Sequence, residues 1–473
     1  MMTVKRIALT LALACGVAGG AQAAATITIA NTNAAGEGFN DPTPAAPVGG
    51  NAGTTLGQQR LIAFQHAANI WGATLTSSVP IRVAASFEAL SCTADSAVLG
   101  SAGANDVYSD FPGAIKRGTW YPAALAAKLA GVDQTAPAAP HIVARFNSRL
   151  GLFADCMPGS GFYLGLDNKA GSQIDLVTVL LHELGHGLGF QTFTSGQTGE
   201  PMNGLPSVWD HYLLDNRSNK TWAEMSNTER AASAISGNGL SWAGAGVTAA
   251  LPAALSPMSM LMVSGPAAGP AAGNYTVGDA SFGPPLGMKP VAGQLAQVLD
   301  QGAATGLACT PLDAANQAAV RGNIALVDRG VCGFVDKAKV VQAAGAIGMV
   351  VADNEPAEVS GLGGSDPGIL IPAVRVSQLS GAKLKAALAG RPPGSSGVMA
   401  SLGVNPAQLA GADGASRIRM YTPTEYSPGS TVSHYTTDAR HNQLMEPAIN
   451  GDLTHEVTAP ADLTFSLLKD IGW

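Results

Sequence analysis

The chain has 473 residues, of which 46% are hydrophobic and 12% are charged, and its formal net charge at pH 7 is −7. This length exceeds what one ordinary hydrophobic core supports, so we expect two or three domains. The negative charge, together with the lack of any basic run, excludes an ordinary nucleic-acid-binding protein and predicts no nucleic-acid partner.

The N-terminus has the layout of a secretory signal. Lys5 and Arg6 precede an apolar stretch at 7–17, and small residues at 21 and 23 flank a cleavage site. The stretch is too short to span a membrane, and no other segment of the sequence is long and apolar enough. We therefore predict a signal peptide at 1–23 that is cleaved near Ala23, and a secreted protein that is extracellular or periplasmic.

Four cysteines follow the predicted cleavage site, and none has zinc-finger spacing. An even, small number of cysteines in an exported chain indicates two disulfides. Proximity in the sequence favours the pairs Cys92–Cys156 and Cys309–Cys332.

The first half of the chain contains patterns of both helices and strands. Apolar residues recur at helical spacing over 57–75 and again over 207–214. Alternating apolar residues predict a strand at 81–87, and a second strand is predicted at 141–146. A helix is predicted at 174–187, directly after this pair of strands.

That helix carries the pentapeptide His182-Glu183-Leu184-Gly185-His186. Residues four apart share a helix face, so His182 and His186 can present two imidazoles to one metal ion. Glu183 lies about 100° round the helix, near enough to contact a water on that ion. This arrangement suits hydrolysis of a peptide bond by zinc-activated water, with Glu183 as the general base.

The second half of the chain has a different texture, with buried-strand runs in place of alternating patterns. A Gly-, Pro- and Ala-rich segment at 265–273 is predicted to be a linker. The elements predicted beyond it are a strand at 323–327, a helix at 333–344, a strand at 347–351, a strand at 371–376, a helix at 379–388 and a last amphipathic helix at 462–473.

A set of short segments in this second half matches a known domain. The segments are Ala325–Gly330, Cys332, Phe334, Lys337–Ala338, Ala343–Ala346, Asp353–Asn354 and Ile371–Ala373. In these residues the chain resembles the protease-associated (PA) domain. The resemblance implies a non-catalytic α/β lid or interaction module, here expected at 266–403, that binds substrate or another protein.

A catalytic zinc site needs three protein ligands and one open position for water. The short metzincin pattern would place the third ligand at position 192, which here is a threonine and therefore not a usual zinc ligand. The residues alone leave four candidates, which are Glu200, Asp210, His211 and His434. Of the remaining histidines, His66 and His141 are interpreted as structural, and His441 and His455 as surface residues.

The segment 182–190 resembles the active-site segment of the leishmanolysin family of metzincins. In that family the third zinc histidine lies far along the chain, in a Ser-His-aromatic sequence that precedes a Leu-Met-x-Pro turn. This chain has Ser433-His434-Tyr435 and then Leu444-Met445-Glu446-Pro447. The resemblance implies that His434 is the third zinc ligand and that Met445 forms an apolar floor beneath the ligands.

We therefore expect an α+β protein: a zincin- or metzincin-like catalytic domain, with a mixed sheet and an active-site helix, that contains an inserted α/β PA-like domain. The expected catalytic domain comprises 24–265 and 404–473. The predicted function is that of a secreted zinc-dependent endopeptidase acting on protein or peptide substrates.

Two alternatives to this function stay open. One is a zincin whose third ligand is Glu200, Asp210 or His211. The other is a secreted binding protein in which the PA-like domain recognises a partner and the protease fold is vestigial.

Overall fold

The computed structural model describes residues 24–299, 306–356 and 359–473. The predicted signal peptide at 1–23 lies outside these ranges. The described residues form a mixed α+β protein whose two largest sheets have four and eight strands.

The helices predicted from apolar spacing are present, apart from the one at 207–214. None of the helices in the described ranges has both the length and the apolar character that crossing a membrane requires. The α-helices of the described residues are α1 (Leu56–Thr74), α2 (Ala123–Ala130), α3 (Leu176–Leu188), α4 (Asn227–Ala234), α5 (Ala245–Ala254), α6 (Ala314–Val320), α7 (Phe334–Ala343), α8 (Gln378–Leu388) and α9 (Thr464–Ile471).

The strands of the first half are β1 (Ile27–Asn31), β2 (Ile81–Glu88), β3 (Gly100–Ala104), β4 (Val107–Tyr108), β5 (Tyr121–Pro122), β6 (Ile142–Asn147), β7 (Phe162–Tyr163), β8 (Ile174–Asp175), β9 (Leu213–Asp215), β10 (Lys220–Thr221) and β11 (Leu240–Trp242). Those of the second half are β12 (Pro257–Ser264), β13 (Gly273–Thr276), β14 (Gly278–Asp279), β15 (Val291–Gln297), β16 (Ile324–Asp328), β17 (Gly348–Ala352), β18 (Ala373–Val376) and β19 (Met399–Leu409).

The four-stranded sheet supports the helix that carries the His-Glu-x-x-His motif. Its order is β1-β2-β6-β3, in which β1, β2 and β6 are parallel and β3 is an antiparallel edge strand. Helix α3 lies against β3 and β6, and α1 packs beside α3. The indole nitrogen of Trp71 in α1 donates to the Leu181 carbonyl at 3.0 Å, which joins the two helices next to the motif.

The ends of α3 are defined by two residues of the sequence. Asp175 caps its N-terminus by accepting a hydrogen bond from the Thr178 amide at 2.8 Å. Gly189 ends the helix at φ 126°, a conformation that a residue with a side chain rarely adopts. All residues of α3 are buried between these two points, so the motif lies inside the protein and not on its surface.

The eight-stranded sheet has the order β13-β12-β19-β15-β16-β17-β18-β14, and β15 to β18 are parallel. Alternate residues of β16 enter two separate hydrophobic cores, one that includes α7 and one that includes α8. Because helices cover both faces, these strands are apolar at nearly every position, which is why they appear in the sequence as continuous apolar runs.

This sheet extends beyond the range expected for the insert. Strand β12 begins at Pro257 and β19 ends at Leu409, and these two residues pair with each other. The segment 265–273, expected to be a linker, contains a 3-10 helix at Pro266–Ala271 with two buried alanines and connects β12 to β13. The segment between these two residues therefore leaves and rejoins the rest of the chain at adjacent points.

The helix predicted at 207–214 is wrong. The structure has a single 3-10 turn at Trp209–His211, followed by strand β9. Strand β9 pairs with β10 and β11, so the residues from Leu213 onward form the hydrogen bonds of a sheet and not those of the predicted helix. Tertiary pairing has overridden the local apolar spacing.

Both predicted disulfides are formed. Cys92 is bonded to Cys156 and Cys309 is bonded to Cys332. The first joins the loop after β2 to the loop after β6, and the second joins the segment between β15 and α6 to the loop between β16 and α7.

Candidate metal centre

Three imidazole rings converge on one point at the C-terminal half of α3. The Nε2 atom of His186 lies 3.2 Å from that of His182 and 3.2 Å from that of His434, and the remaining Nε2 pair is 3.3 Å apart. Among the described residues, this is the group of three potential ligand side chains that lies close enough together to hold one metal ion.

The other nitrogen of each ring fixes its protonation. The Nδ1 atoms of His182, His186 and His434 donate to the backbone carbonyls of Leu444 at 2.7 Å, Phe190 at 2.7 Å and Ser430 at 2.9 Å. A carbonyl oxygen only accepts hydrogen bonds, so each neutral ring carries its proton on Nδ1 and leaves a lone pair on Nε2. Three lone pairs therefore face one another, an arrangement that a bound cation would stabilise.

The spacing of the three atoms fits zinc. Tetrahedral coordination at about 2.0–2.1 Å per imidazole places the nitrogens about 3.3–3.4 Å apart. The observed separations of 3.2, 3.2 and 3.3 Å are within about 0.2 Å of that requirement. The three histidines could thus hold the ion with a fourth position open.

Burial keeps these rings neutral. It lowers the pKa of His182 to about 4 and that of His186 to about 3, and it lowers the pKa of His434 well below its ordinary value. The cause in each case is the cost of placing a charged imidazolium away from water. At neutral pH the rings are therefore in the form that binds a metal.

Glu183 lies beside the tripod, between α3 and the edge strand β3. Its side chain is buried, and burial raises the pKa of its carboxyl group to about 8, while a hydrogen bond with the Ala102 backbone opposes that rise. A Cβ added at Gly100 would come 3.1 Å from the Glu183 side chain, so the small residues of β3 leave room for this carboxyl group. A nearby cation would favour its charged form.

Met445 packs directly under the motif helix. A Cβ added at Gly185 would lie 2.9 Å from the Met445 sulfur, so the glycine of the pentapeptide provides the space that this thioether fills. The turn is anchored by Asp462, which accepts from the Leu444 amide at 2.6 Å. Both Met445 and Asp462 are buried, as an apolar floor and its support require.

The competing third ligands lie elsewhere. Glu200 is exposed, and His211 contacts the Thr119 hydroxyl at 3.1 Å. Asp210 is buried and accepts hydrogen bonds from Thr192 and Thr194. The structure brings none of the three to the histidine pair.

Two other sequence interpretations can be compared with the structure. His141 is fully buried and accepts from the Arg82 amide at 3.1 Å, in agreement with a structural role. His455 was interpreted as a surface residue, which is wrong, because it bonds to Asp175 at 2.9 Å and is largely buried there. Tyr435 packs its ring on Phe190, with 4.9 Å between centroids, and does not line the cavity.

An open cavity of about 1050 Å³ contains the tripod and Glu183. Strand β3 and the residues before it form one wall, and segments 426–434 and 447–453 form others. The sequence did not predict which segments line this cavity, or which three carbonyls hold the imidazole rings. Backbone carbonyls and a glycine-rich edge strand carry no side-chain pattern from which they could be found.

Comparison with known proteins assigns one part of the chain. A family model described as the PA domain matches residues 291–384. The minor extracellular protease Vpr of Bacillus subtilis (strain 168) is 43% identical over 67 residues, which are 14% of this chain and 8% of that protein. The chain therefore spans a small fraction of the curated relative that it matches.

Similar solved structures include a zinc aminopeptidase from Bacillus subtilis, BSAP, with 16% identity over 45% of this chain and 44% of that chain. An aminopeptidase from Aneurinibacillus sp. strain AM-1 has 18% identity over 43% and 42%. The subtilisin-like protease Apa1 from the Antarctic psychrotroph Pseudoalteromonas sp. AS-11 has 20% identity over 32% and 33%. Each has a TM-score of 0.22, which is too low to transfer a whole-chain fold or activity. What the comparisons do show is that residues 291–384 of this chain belong to a PA domain.

Proposed function

We propose that this chain is a secreted zinc-dependent endopeptidase of the metzincin type, similar to the leishmanolysin family, with an inserted PA domain. His182, His186 and His434 hold the zinc ion, Glu183 is the general base, and Met445 forms the floor. The observation that carries the proposal is the approach of three buried Nε2 lone pairs to within 3.2–3.3 Å of one another.

The chemistry follows from the positions of these side chains. A bound zinc ion would polarise the substrate carbonyl and make water at the site more acidic. Glu183 takes a proton from the attacking water and returns it to the leaving amine. Its burial strengthens the binding of a proton by the carboxyl group, which suits a residue that holds the proton between these two steps.

The edge strand supports action on peptides. Strand β3 ends the four-stranded sheet, and its residues 100–102 line the cavity beside Glu183. An extended peptide can add to such an edge through main-chain hydrogen bonds. Binding along an edge engages the middle of a peptide as readily as its end, which favours an endopeptidase.

The remaining parts of the proposal concern compartment and domains. Two disulfides within the described residues favour an oxidising compartment and hence export, with the signal at 1–23 removed. The catalytic domain, expected from the sequence at 24–265 and 404–473, comprises 24–256 and 410–473, because β12 and β19 belong to the sheet of the PA region. The PA domain, with its own two cores, is expected to bind substrate or another protein and lines no part of the cavity within the described residues.

The direct test is the variant Glu183→Gln, which preserves the shape of the side chain but cannot accept the proton. We expect its zinc content to equal that of the parent chain and its cleavage of an unfolded protein substrate to fall by at least about 10²–10⁴-fold. Glu200→Gln, at an exposed glutamate away from the tripod, is the matched control and should cleave normally.

Two results would contradict the proposal. Retained cleavage by Glu183→Gln would remove the general base from the mechanism. A parent chain that shows no chelator-sensitive cleavage of any protein substrate would favour a binding protein with a vestigial site.

A further inference from the structure

Asp210 is a buried carboxylate near the metal centre that takes no part in the proposed chemistry. Its side chain is 1% exposed. One oxygen accepts from the Thr192 hydroxyl at 2.7 Å, and the other accepts from the Thr194 hydroxyl at 2.6 Å and the Ser207 amide at 2.8 Å. These three donors are neutral, and together they offset the cost of burying a carboxylate.

The residues that Asp210 holds belong to a short segment, 190–194, that contacts one metal ligand directly and the residue before another. The Phe190 carbonyl accepts the Nδ1 proton of His186 at 2.7 Å. The Thr192 amide donates to the Ser433 hydroxyl at 3.4 Å, and Ser433 directly precedes His434 in the chain. The segment thus lies between the second and third ligands and contacts the backbone or side chain next to each.

Asp210 accepts from the hydroxyl groups of both Thr192 and Thr194, and the Thr192 hydroxyl also lies 3.3 Å from the Ser207 hydroxyl. The Thr194 amide also donates to the Thr192 hydroxyl at 2.9 Å, so the two threonines and the carboxylate form one connected network. Groups that bond directly to a metal ligand, as the Phe190 carbonyl does, set the orientation of the imidazole, and their loss typically weakens metal binding 10–100-fold.

We infer that Asp210 is a positioning residue of the metal centre, which fixes Thr192 and Thr194 so that segment 190–194 orients His186 and His434. The inference rests on the proposed zinc site. In this role Asp210 does not bind the metal itself but orients residues that bind it. Thr192, which stands where the short metzincin pattern has a histidine, then connects Asp210 to the ligands.

The test is the zinc affinity of the full-length chain, measured by competition with a chromophoric chelator. We expect Asp210→Ala to weaken zinc binding about 10–100-fold and Thr192→Val to weaken it about 10-fold. The double variant should bind zinc about as weakly as Asp210→Ala alone, because both changes break the same connection. Asp210→Asn, which keeps one accepting oxygen, should recover part of the affinity.

A spectroscopic measurement separates positioning from ligation. With Co²⁺ in place of zinc, Thr192→Val and Asp210→Asn should keep the absorption of a four-coordinate site, since all three imidazoles remain. Asp215→Asn is the matched control, because Asp215 is also buried but bonds to the Ser218 amide, away from segment 190–194. It should leave zinc affinity unchanged even if it lowers stability.

The possible outcomes are distinct. A parent chain that binds no zinc would refute the proposed function itself. Zinc binding by the parent chain together with unchanged affinity in Thr192→Val and Asp210→Ala would overturn only the inference about Asp210. Complete loss of zinc in Asp210→Ala, with normal affinity in Thr192→Val, would make Asp210 a ligand and overturn it as well. If Asp210→Ala does not fold, the affinity of Thr192→Val decides.

Discussion

At the scale of single residues, the candidate centre depends on what lies behind each imidazole. Three backbone carbonyls take the Nδ1 protons of His182, His186 and His434, and so direct three Nε2 lone pairs to one point. Burial then holds the rings neutral. The side chains supply the donor atoms, while the backbone determines which atom of each side chain is the donor.

The sequence predicts the first two ligands more directly than the third. His182 and His186 are recognisable because helical spacing places residues four apart on one face. His434 lies 248 residues after His186, and nothing in its local pattern distinguishes it from a surface histidine. Its assignment required the resemblance to the leishmanolysin family. Asp210 could not be interpreted correctly, because burial and hydroxyl partners are not visible in the residues around it.

We predict that Gly185→Ala destabilises the protein, although alanine is the better helix former. Helical propensity alone would stabilise α3 by about 0.5–1 kcal/mol. The new Cβ, however, would lie 2.9 Å from the Met445 sulfur, and overpacking of this kind costs about 1–3 kcal/mol. Chemical denaturation should therefore show a net loss in the free energy of unfolding.

The control for this prediction is Gly451→Ala, since a Cβ there would meet no atom within 4 Å. It should change the free energy of unfolding by no more than about 0.5 kcal/mol. A stabilising effect of Gly185→Ala would show that Met445 does not pack under the motif helix.

At the scale of elements, the spacing of apolar residues predicted the secondary structure correctly where a helix buries one face or a strand lies in a sheet that is buried on both faces. Helix α1 and strands β16 and β17 are examples, because their burial follows their own apolar pattern. Strand β3 was missed because Gly100–Ala104 consists of glycine, alanine and serine, and is a strand only through its pairing with β6. Pairing with a distant partner is not encoded in the local spacing of apolar residues.

The two disulfides allow a prediction at this scale. Loop entropy predicts roughly 4 kcal/mol of stabilisation for Cys92–Cys156 and roughly 3 kcal/mol for Cys309–Cys332, because the first closes the longer loop. Replacing each pair by alanines should lower the free energy of unfolding in that order. The measurement is denaturant unfolding of each double variant.

The part of the protein that loses stability when a disulfide is removed provides a further check. Removing Cys92–Cys156 should destabilise the catalytic part, whose cavity wall at 96–102 follows Cys92 directly. Removing Cys309–Cys332 should leave zinc affinity unchanged. Loss of zinc binding on removing the second disulfide would contradict the independence of the PA domain from the metal centre.

At the scale of the whole molecule, the described residues from β12 to β19 have hydrophobic cores separate from the core around the candidate metal centre. The two ends of this segment lie side by side, where the Ala410 amide donates to the Ser256 carbonyl at 2.9 Å. We therefore predict that residues 258–408 can be replaced by a short Gly/Ser linker with retention of zinc binding and of cleavage of small peptides.

This replacement would be measured by zinc stoichiometry and by turnover of a short peptide and of a folded protein. Turnover of the folded protein is expected to fall if the PA domain binds substrate. A shortened chain that folds but binds no zinc would show that the insert helps to form the metal centre.

The proposed function depends on the binding of one zinc ion by His182, His186 and His434 together. The most direct measurement is the zinc content, after equilibrium dialysis, of the parent chain, His434→Ala and His211→Ala. We expect one equivalent of zinc in the parent chain and in His211→Ala, and a large loss in His434→Ala. A full equivalent in His434→Ala, with loss in His211→Ala, would contradict the assignment of His434 as the third ligand.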